Sequence, residues 1–151
     1  MTEFRKAEES DLAAIIGMLA DDALGRTREV VSDPVDRRYV DAFAAIEADT
    51  NQYLAVAVDD AGDVVGCLQI SFLPGLSRLG LWRGQIESVR VAASQRGKGV
   101  GREMISWAVE ECRKRGCGTV QLTSDNRRED AHRFYENLGF EKSHAGFKLT
   151  L

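Results

Sequence analysis

A short glycine-rich stretch with two cations, followed directly by a third, is the part of the sequence whose residue types and spacing most directly suggest chemistry. Residues 95–101 read QRGKGVG, and a run with helical spacing follows them. A helix begins with unpaired amides and a partial positive charge, so acidic side chains normally stabilise its first turn. Here Arg96, Lys98 and Arg102 crowd that end, and only Glu103 opposes them. The pattern predicts an anion-binding site suited to a phosphate or a pyrophosphate.

The three glycines of this stretch, Gly97, Gly99 and Gly101, admit two interpretations. They let the backbone approach an anion closely, or they only supply the positive φ of a tight strand-to-helix turn. Three glycines together with three cations favour the anion site. The nucleotide-hydrolase motif GxxxxGK fails because Ala92 stands where its first glycine belongs, and the dinucleotide motif GxGxxG fails at Arg102.

The elements that would position this loop follow from hydrophobic patterning, which predicts the order β-α-α-β-β-β-α-β-α-β. Strand-helix-strand units normally give parallel neighbours, so we expect an α/β fold with a mixed sheet flanked by about four helices. After a first strand, we expect a helix from Ser10 to about Asp21, a helix starting at Asp33–Pro34, and strands at 52–60 and 63–73 around a hairpin at 60–62. A strand within 82–93, a helix from Val100 to Arg115 and a strand at 119–123 follow. A helix closed by Gly139 and a last strand at 147–151 complete the chain, and one more short strand at 140–142 is left open.

Composition narrows the class of protein. With 151 residues, 44% of them hydrophobic, the chain is predicted to form one domain over residues 1–151. The net charge of −4 argues against nucleic-acid binding, and no apolar run of signal-peptide or membrane-spanning type is present, so we expect a soluble, cytoplasmic protein without a membrane partner. Cysteines 67, 112 and 117 lack CxxC spacing, and the two histidines fit no metal motif. Neither a disulfide framework nor a metal site is predicted.

A family resemblance rests on the same loop. Residues 96–101, RGKGVG, fit the acyl-CoA signature Arg/Gln-x-x-Gly-x-Gly/Ala, and the strand IESVRV and the later AHRFYENLGF accompany it. In these motifs the chain resembles the GNAT N-acetyltransferase superfamily over nearly its whole length. The resemblance implies a GNAT-like fold with a central splayed sheet, acetyl-CoA as co-substrate and an amine as acceptor. It says little about which amine.

The resemblance also implies a set of residues that bind the CoA moiety. The amides around Arg96 to Arg102 would hold its pyrophosphate, and Val89 and Val91 would pair with the pantetheine arm as a pseudo-strand. Asn126 resembles an asparagine that contacts the pantetheine arm, but it would equally form a helix capping box with Glu129. The candidates are therefore Val89, Val91, Arg96, Gly97, Lys98, Gly99, Gly101, Arg102 and Asn126.

Two residues are candidates for the proton transfers that amine acetylation requires. Tyr135 stands where the family has a tyrosine beside the CoA sulfur, and its alternative role is that of a core aromatic. Glu87 is expected to share one face of a buried strand with Val89 and Val91, where desolvation would raise the pKa of its carboxyl. Its alternative is a carboxylate at a strand end that pairs with Arg90 or Arg83 or meets solvent.

The sequence thus predicts direct acetyl transfer from acetyl-CoA to a primary amine of a small molecule or peptide. The rival hypothesis is a non-catalytic acyl-CoA-binding sensor or interaction module, and a homodimer is left open. Acceptor recognition is expected from the first two helices, residues 21–32 and the loop at 74–84. Asp21 and Asp22 could attract an amine, whereas Arg26, Arg28 and Arg83 could bind a carboxylate.

Overall fold

The computed structural model describes all 151 residues and contains five strands and six helices. Residues 25–28 and 77–80 form only single turns, and in the second turn Arg78 and Leu79 have left-handed backbone angles. Four longer helices therefore flank the sheet, as expected. The elements are β1 Glu3–Lys6, α1 Leu12–Ala20, α2 Gly25–Arg28, α3 Arg37–Ala48, β2 Gln52–Val58, β3 Val64–Leu73, α4 Ser77–Gly80, β4 Arg83–Val91, α5 Val100–Lys114, β5 Thr119–Leu122 and α6 Glu129–Asn137.

The five strands form one mixed sheet in the order β1-β2-β3-β4-β5. Strands β1 to β4 are antiparallel neighbours, and β5 runs parallel to β4 after the α5 crossover. The hairpin between β2 and β3 turns at Gly62, whose φ of +90° is the left-handed conformation that glycine tolerates best. The predicted mixed α/β sheet is confirmed.

Each face of the sheet carries its own hydrophobic cluster, because successive residues of a strand point to opposite faces. On the α5 face, Ile70 and Ile86 are buried against Met104, Ile105 and neighbouring residues of α5. On the α1 face, α1 and α3 cover side chains of β2 and β3. The helices of the α1 face therefore cover only part of the sheet, and β4 and β5 carry polar side chains there.

The second predicted helix begins later than expected. Proline at position 34 marks a start signal, but α3 begins at Arg37 with Asp36 as its N-cap. The Asp36 carboxylate accepts a hydrogen bond from the Arg38 amide at 2.9 Å, which satisfies one of the unpaired donors of the first turn. The side-chain cap thus sets the boundary, and Pro34 lies in the segment before the helix.

The predicted last strand at 147–151 is wrong, and the short strand left open at 140–142 is not formed either. Phe147, Leu149 and Leu151 are 95%, 86% and 111% exposed. A strand is stable only when its backbone groups pair with a neighbour, and this segment leaves the sheet without pairing with β5. The sheet consequently ends at β5, whose outer edge is open. No helix in the structure has the length and apolar character needed to cross a bilayer.

Candidate acetyl-CoA site

The glycine-rich loop connects β4 to α5 through two left-handed residues. Gly97 has a φ of +78°, and Gly99, the N-cap of α5, has a φ of +87°. A side chain at either position would meet open space, so the constraint there is backbone conformation. Gly101 differs, since an added Cβ would lie 3.4 Å from Cζ of Phe134. Gly97 and Gly99 are therefore required for their positive φ, whereas Gly101 is not. No side chain lies close to the backbone at Gly97 and Gly99, so the loop amides there are accessible.

These loop amides have no partners within the protein. The amides of Gly97 and of residues 99–102 donate to no backbone or side-chain acceptor, whereas the Lys98 amide donates to the Gln95 carbonyl at 3.4 Å. Lys98 and Arg102 are exposed and form no ion pair, while Arg96 pairs with Asp21 at 3.2 Å. Free donors and free cations at one helix start form an arrangement that fits a pyrophosphate.

Next to the loop, β4 has a free backbone edge. It pairs with β5 only from Arg83 to Ile86, after which the two strands separate. The Ala92 amide donates to the Val65 carbonyl of β3 at 2.8 Å, so the peptide groups of Val91 and Val89 point the other way, into the gap. No strand pairs with them there, although the Val89 carbonyl accepts a hydrogen bond from Nη1 of Arg90 at 2.9 Å. The structure thus places both valines at the open edge where a pantetheine arm could add as a pseudo-strand.

A β-bulge in β4 overturns one expectation about Glu87. Between the pairs Cys67–Arg90 and Gln69–Glu87, β4 contains one more residue than β3, and Ser88 has a φ of +56°. The extra residue reverses the alternation of side chains. Glu87 therefore shares the α1 face with Arg90, whereas Val89 packs on the α5 face.

The expectation of a buried Glu87 is also wrong, because its side chain is exposed. It pairs with neither Arg90 nor Arg83. Its Oε1 accepts a hydrogen bond from Nε2 of Gln85 at 3.3 Å, and Gln85 in turn accepts one from Gln121 at 3.0 Å. This chain of side-chain amides fixes one oxygen of the carboxylate and leaves the other free.

Glu87 belongs to a row of polar side chains that crosses the α1 face over four strands. On β2 and β3, Gln52 accepts hydrogen bonds from Gln69 and Ser71, each at 2.9 Å. We call this set the polar row; its members are Gln52, Gln69, Ser71, Gln85, Glu87 and Gln121. Hydrophobic side chains of α1 and α3 pack on a different part of this face. Within the polar row Ser71 is buried, the glutamines are half-buried and Glu87 is exposed, so a polar ligand could reach the row at Glu87.

Tyr135 lies on α6 and packs against the hydrophobic cluster of the α5 face. Its ring makes edge contacts with Phe134 and Phe140 at centroid distances of 5.2 and 5.9 Å. Burial raises the pKa of the phenol above 10, and the positive charges of Arg90 and Arg128 offset part of that rise. Because its pKa is raised, the phenol is protonated at neutral pH. Its hydroxyl donates to no group of the protein, so that proton is available to another acceptor.

Asp22, Arg90 and Arg128 form an ion network beside the open edge. Nη1 of Arg128 donates to Oδ2 of Asp22 at 2.7 Å, and the Arg90 guanidinium lies 3.7 Å from the same oxygen. Burial raises the pKa of Asp22, but the Gly25 amide and the two arginines outweigh it and leave that pKa below its usual value. The network lines a 290 Å³ cleft together with Val89, Val91, Asp21 and Arg96.

Arg90 has unsatisfied hydrogen-bonding capacity in this cleft. Its Nη1 donates to the Val89 carbonyl at 2.9 Å, and its buried Nε has no partner. Sequence reasoning considered Arg90 only as a partner for Glu87 and did not identify Arg128. Arg90 could have been identified because it is an arginine within the apolar strand segment VRV. Arg128 gave no such signal, since its partner Asp22 lies 106 positions away in the chain.

Asn126, a candidate for contact with the pantetheine arm, lies before α6. It is exposed and makes no side-chain hydrogen bond, and α6 has Arg128 as its N-cap, so the capping box with Glu129 is not formed. All three cysteines are free. Burial raises the pKa of both Cys67 and Cys112 to about 12, which disfavours the thiolate and hence a nucleophilic role.

Comparison with known proteins agrees with this geometry. The model of the acetyltransferase (GNAT) family matches residues 17–140, and the chain belongs to that family. It is 29% identical to the aminoalkylphosphonate N-acetyltransferase of Salmonella typhimurium over 150 residues, which cover 99% of this chain and 91% of that protein. It is 30% identical to the streptothricin acetyltransferase of Streptomyces lavendulae, with coverage of 91% and 80%. Acetyl transfer from acetyl-CoA to an amine is the activity that these relationships support.

A solved structure from Bacillus halodurans C-125, described as a transcriptional regulator, superposes with a TM-score of 0.96. The two chains are 45% identical, and the alignment covers 100% of each. That description names a role other than catalysis for a protein with the same fold.

Proposed function

We propose that the whole chain, residues 1–151, is one acetyltransferase domain that moves an acetyl group directly from acetyl-CoA to a primary amine. The observation that carries this proposal is the free edge of β4 at Val89 and Val91, which leads to the unpartnered amides of residues 99–102. The loop would hold the pyrophosphate, with charge from Lys98 and Arg102, and the edge would hold the pantetheine arm. Together they would aim the thioester into the gap between β4 and β5.

Glu87 and Tyr135 would approach that gap from opposite faces of the sheet. Glu87 would take a proton from the ammonium, directly or through a water, so that the free amine can attack the thioester carbonyl carbon. The new C–N bond forms as the C–S bond breaks, and Tyr135 would give its proton to the departing thiolate. The raised pKa of Tyr135 keeps that proton available at neutral pH.

The acceptor would lie on the α1 face, against the polar row. This face carries Glu87 and is open, and its amide side chains can both donate and accept hydrogen bonds. We propose a small-molecule amine, because the curated relatives with named acceptors described above act on an aminoalkylphosphonate and on streptothricin. Arg83, at the start of β4, is half-buried and could meet an anionic group of such a substrate.

A second candidate function is a non-catalytic acyl-CoA-binding regulator. The observation that favours it is the 45% identity to a chain described as a transcriptional regulator. Both candidates need the same CoA site, but only the enzyme needs a proton acceptor and a proton donor at the gap. Glu87, held by Gln85, and Tyr135, with its free hydroxyl, favour the enzyme.

Turnover separates the two functions. The protein is incubated with acetyl-CoA and a panel of amines that includes an aminoalkylphosphonate, streptothricin, an amino acid, a polyamine and a peptide with a free N-terminus. Release of CoA thiol and the acetylated product are measured together, with acetyl-CoA hydrolysis in the absence of amine as the blank. Release of CoA thiol that depends on an amine supports the enzyme. If the protein binds CoA but no member of a broad metabolite panel causes release of CoA thiol, the regulator is supported.

The pyrophosphate site is tested with charge-matched variants on a single helix. Lys98→Ala combined with Arg102→Ala removes two unpaired cations at the start of α5 and should weaken CoA binding at least tenfold in calorimetry. Arg113→Ala combined with Lys114→Ala removes the same charge at the end of the same helix and should leave affinity unchanged. Equal losses in both double variants would indicate a general charge effect, and no loss in either would show that Lys98 and Arg102 do not contribute to CoA binding.

A further inference from the structure

The cleft beside the open edge of β4 contains two guanidinium groups whose hydrogen-bonding capacity the protein leaves largely unused. Arg90 makes one side-chain hydrogen bond, to the Val89 carbonyl, although a guanidinium has several N–H donors. Arg128 likewise makes one, to Asp22. We propose that Arg90 and Arg128 bind an anionic group of the acceptor, so that the acetylated amine carries a carboxylate or a phosphonate a few carbon atoms from its nitrogen. The inference rests on the proposed function, because it names the class of acceptor for the same site.

The cleft has a net positive charge, because one carboxylate faces two guanidinium groups. Burial raises the pKa of Asp22, but the Gly25 amide and the two arginines lower it further, so Asp22 is ionised at neutral pH. Oδ1 of Asp22 accepts a hydrogen bond from the Gly25 amide, and Oδ2 accepts one from Arg128. Nη2 of Arg90 lies 3.7 Å from Oδ2, which is too long for a hydrogen bond. One positive charge is therefore left over, and an anionic group would neutralise it.

Both arginine side chains are largely shielded from water. Their exposed fractions are 22% for Arg90 and 26% for Arg128, whereas Arg96, paired with Asp21 in the same cleft, is 53% exposed. Attraction between charges is stronger where water is excluded, and an unbalanced buried charge is costly. The planar fork of arginine also matches the paired oxygens of a carboxylate or a phosphate-like group. These properties distinguish Arg90 and Arg128 from solvated surface cations.

The bulge at Ser88 brings Arg90 close to the proposed proton acceptor. Glu87 lies opposite Gln69 of β3, and Arg90 lies only two positions further along β3 and on the same face. Two residues of extended strand span about 7 Å, so an amine at Glu87 and an anion at Arg90 belong to a short molecule. Arg83 is four residues from Glu87 on the other side, about twice as far along the strand. Arg83 would suit a longer acceptor.

The same arginines lie near the proposed proton donor. Burial raises the pKa of Tyr135, and the positive charges of Arg90 and Arg128 lower it in part. Such an effect weakens with distance, so both guanidinium groups lie near the phenol hydroxyl. The edge proposed for the pantetheine arm lines the same cleft. An anion bound by the two arginines would therefore hold the acceptor beside the thioester, with its nitrogen directed towards Glu87.

A matched set of amines tests the anion site. β-Alanine and 2-aminoethylphosphonate carry a carboxylate and a phosphonate on the same short chain, and propylamine is the neutral counterpart. The wild type should show a kcat/KM at least about tenfold higher for one of the anionic amines than for propylamine, and the better of the two identifies the anion. Arg90→Met and Arg128→Met remove the guanidinium but keep an unbranched apolar chain, and each should reduce this preference about tenfold.

Arg5→Met is the matched control for these two substitutions. Arg5 is a half-buried arginine that pairs with an aspartate, Asp11, and it lies on β1 at the opposite side of the sheet from β5. Its substitution should keep the wild-type preference. A wild type that prefers neither anionic amine, or a preference that survives both Arg90→Met and Arg128→Met, would overturn the proposal.

Calorimetry separates this inference from the proposed function. Each anionic amine is titrated into the protein saturated with CoA, which carries no acetyl group and so permits binding without turnover. Affinity for the preferred amine should fall about tenfold in both arginine variants, with a smaller change in CoA affinity. A loss of CoA affinity with unchanged amine affinity would assign the arginines to the cofactor and refute the inference. If the anionic amines bind through the arginines but no amine is acetylated, the proposed function fails and the anion site stands; if propylamine is acetylated but neither anionic amine binds, the reverse holds.

Discussion

Tyr135→Phe is the substitution that most directly tests the proposed chemistry, because it removes one hydroxyl and little else. The ring contacts with Phe134 and Phe140 depend on the aromatic ring, and they remain in the variant. The hydroxyl donates to no protein group, so no partner is left unsatisfied. We therefore expect the free energy of unfolding to change by no more than about 0.5 kcal/mol.

The expected effect on catalysis is much larger. A positioned general acid typically contributes about a hundredfold or more to the rate, and a hundredfold loss corresponds to about 2.7 kcal/mol of activation free energy. The phenol is suited to this role because burial raises its pKa, which keeps it protonated at neutral pH. Acetyl-CoA affinity should be unchanged, since the loop and the β4 edge are not altered.

The assay measures single-turnover acetylation of an amine at saturating acetyl-CoA, so that chemistry limits the rate. Tyr53→Phe is the matched control, because Tyr53 is also half-buried on the α5 face, its hydroxyl lacks a partner and its ring contacts Trp107 at 5.3 Å. The control should retain the wild-type rate. Equal rates for Tyr135→Phe and the wild type would show that solvent or another group supplies the proton and that Tyr135 has only a packing role.

Three further substitutions test the base, the packing and one ion pair. Glu87→Gln should lower kcat about a hundredfold below the pKa of the amine and recover partly above it, and an unchanged pH-rate profile would exclude Glu87 as the base. Gly84→Ala should destabilise the fold by about 1–3 kcal/mol in urea denaturation, because the added Cβ would lie 2.2 Å from Sγ of Cys112; an unchanged midpoint would show that the strand can shift. Asp11 has a lowered pKa, chiefly through its hydrogen bonds from Arg5, so its stabilising effect is present above the usual aspartate pKa. The stability difference between the wild type and Asp11→Asn should therefore shrink as pH falls below about 3.9, and a difference that grows instead would contradict this sign.

The local features of the site could be predicted from sequence because adjacent residues determine them. The turn before α5 needs left-handed residues at 97 and 99, and glycines stand at both positions. The open edge at Val89 and Val91 was inferred from family resemblance, and the structure places both residues there. Their contacts with acetyl-CoA, like that of Asn126 and like the cytoplasmic location, stay predictions.

The errors arose where the outcome depends on distant parts of the chain. The face that Glu87 occupies depends on a bulge at Ser88, which is defined by how β4 pairs with β3 and not by the sequence of β4 alone. The last strand was predicted from its alternation, but alternation does not show whether a neighbouring strand is present. Arg128 reaches Asp22 only because the fold brings α6 beside the end of α1.

The bulge at Ser88 has a practical consequence for anyone who redesigns this enzyme. Before the bulge, the odd-numbered positions 85 and 87 lie on the α1 face, which is the proposed substrate side. After the bulge, the even-numbered position 90 lies on that face. A mutagenesis library that follows simple alternation along β4 would alter core residues in one half of the strand. Deleting Ser88 would remove the extra residue and restore regular alternation, with Glu87 and Arg90 still on the same face of the strand. The extra residue therefore changes which residue numbers face the substrate side, and positions along β4 have to be chosen from its pairing with β3.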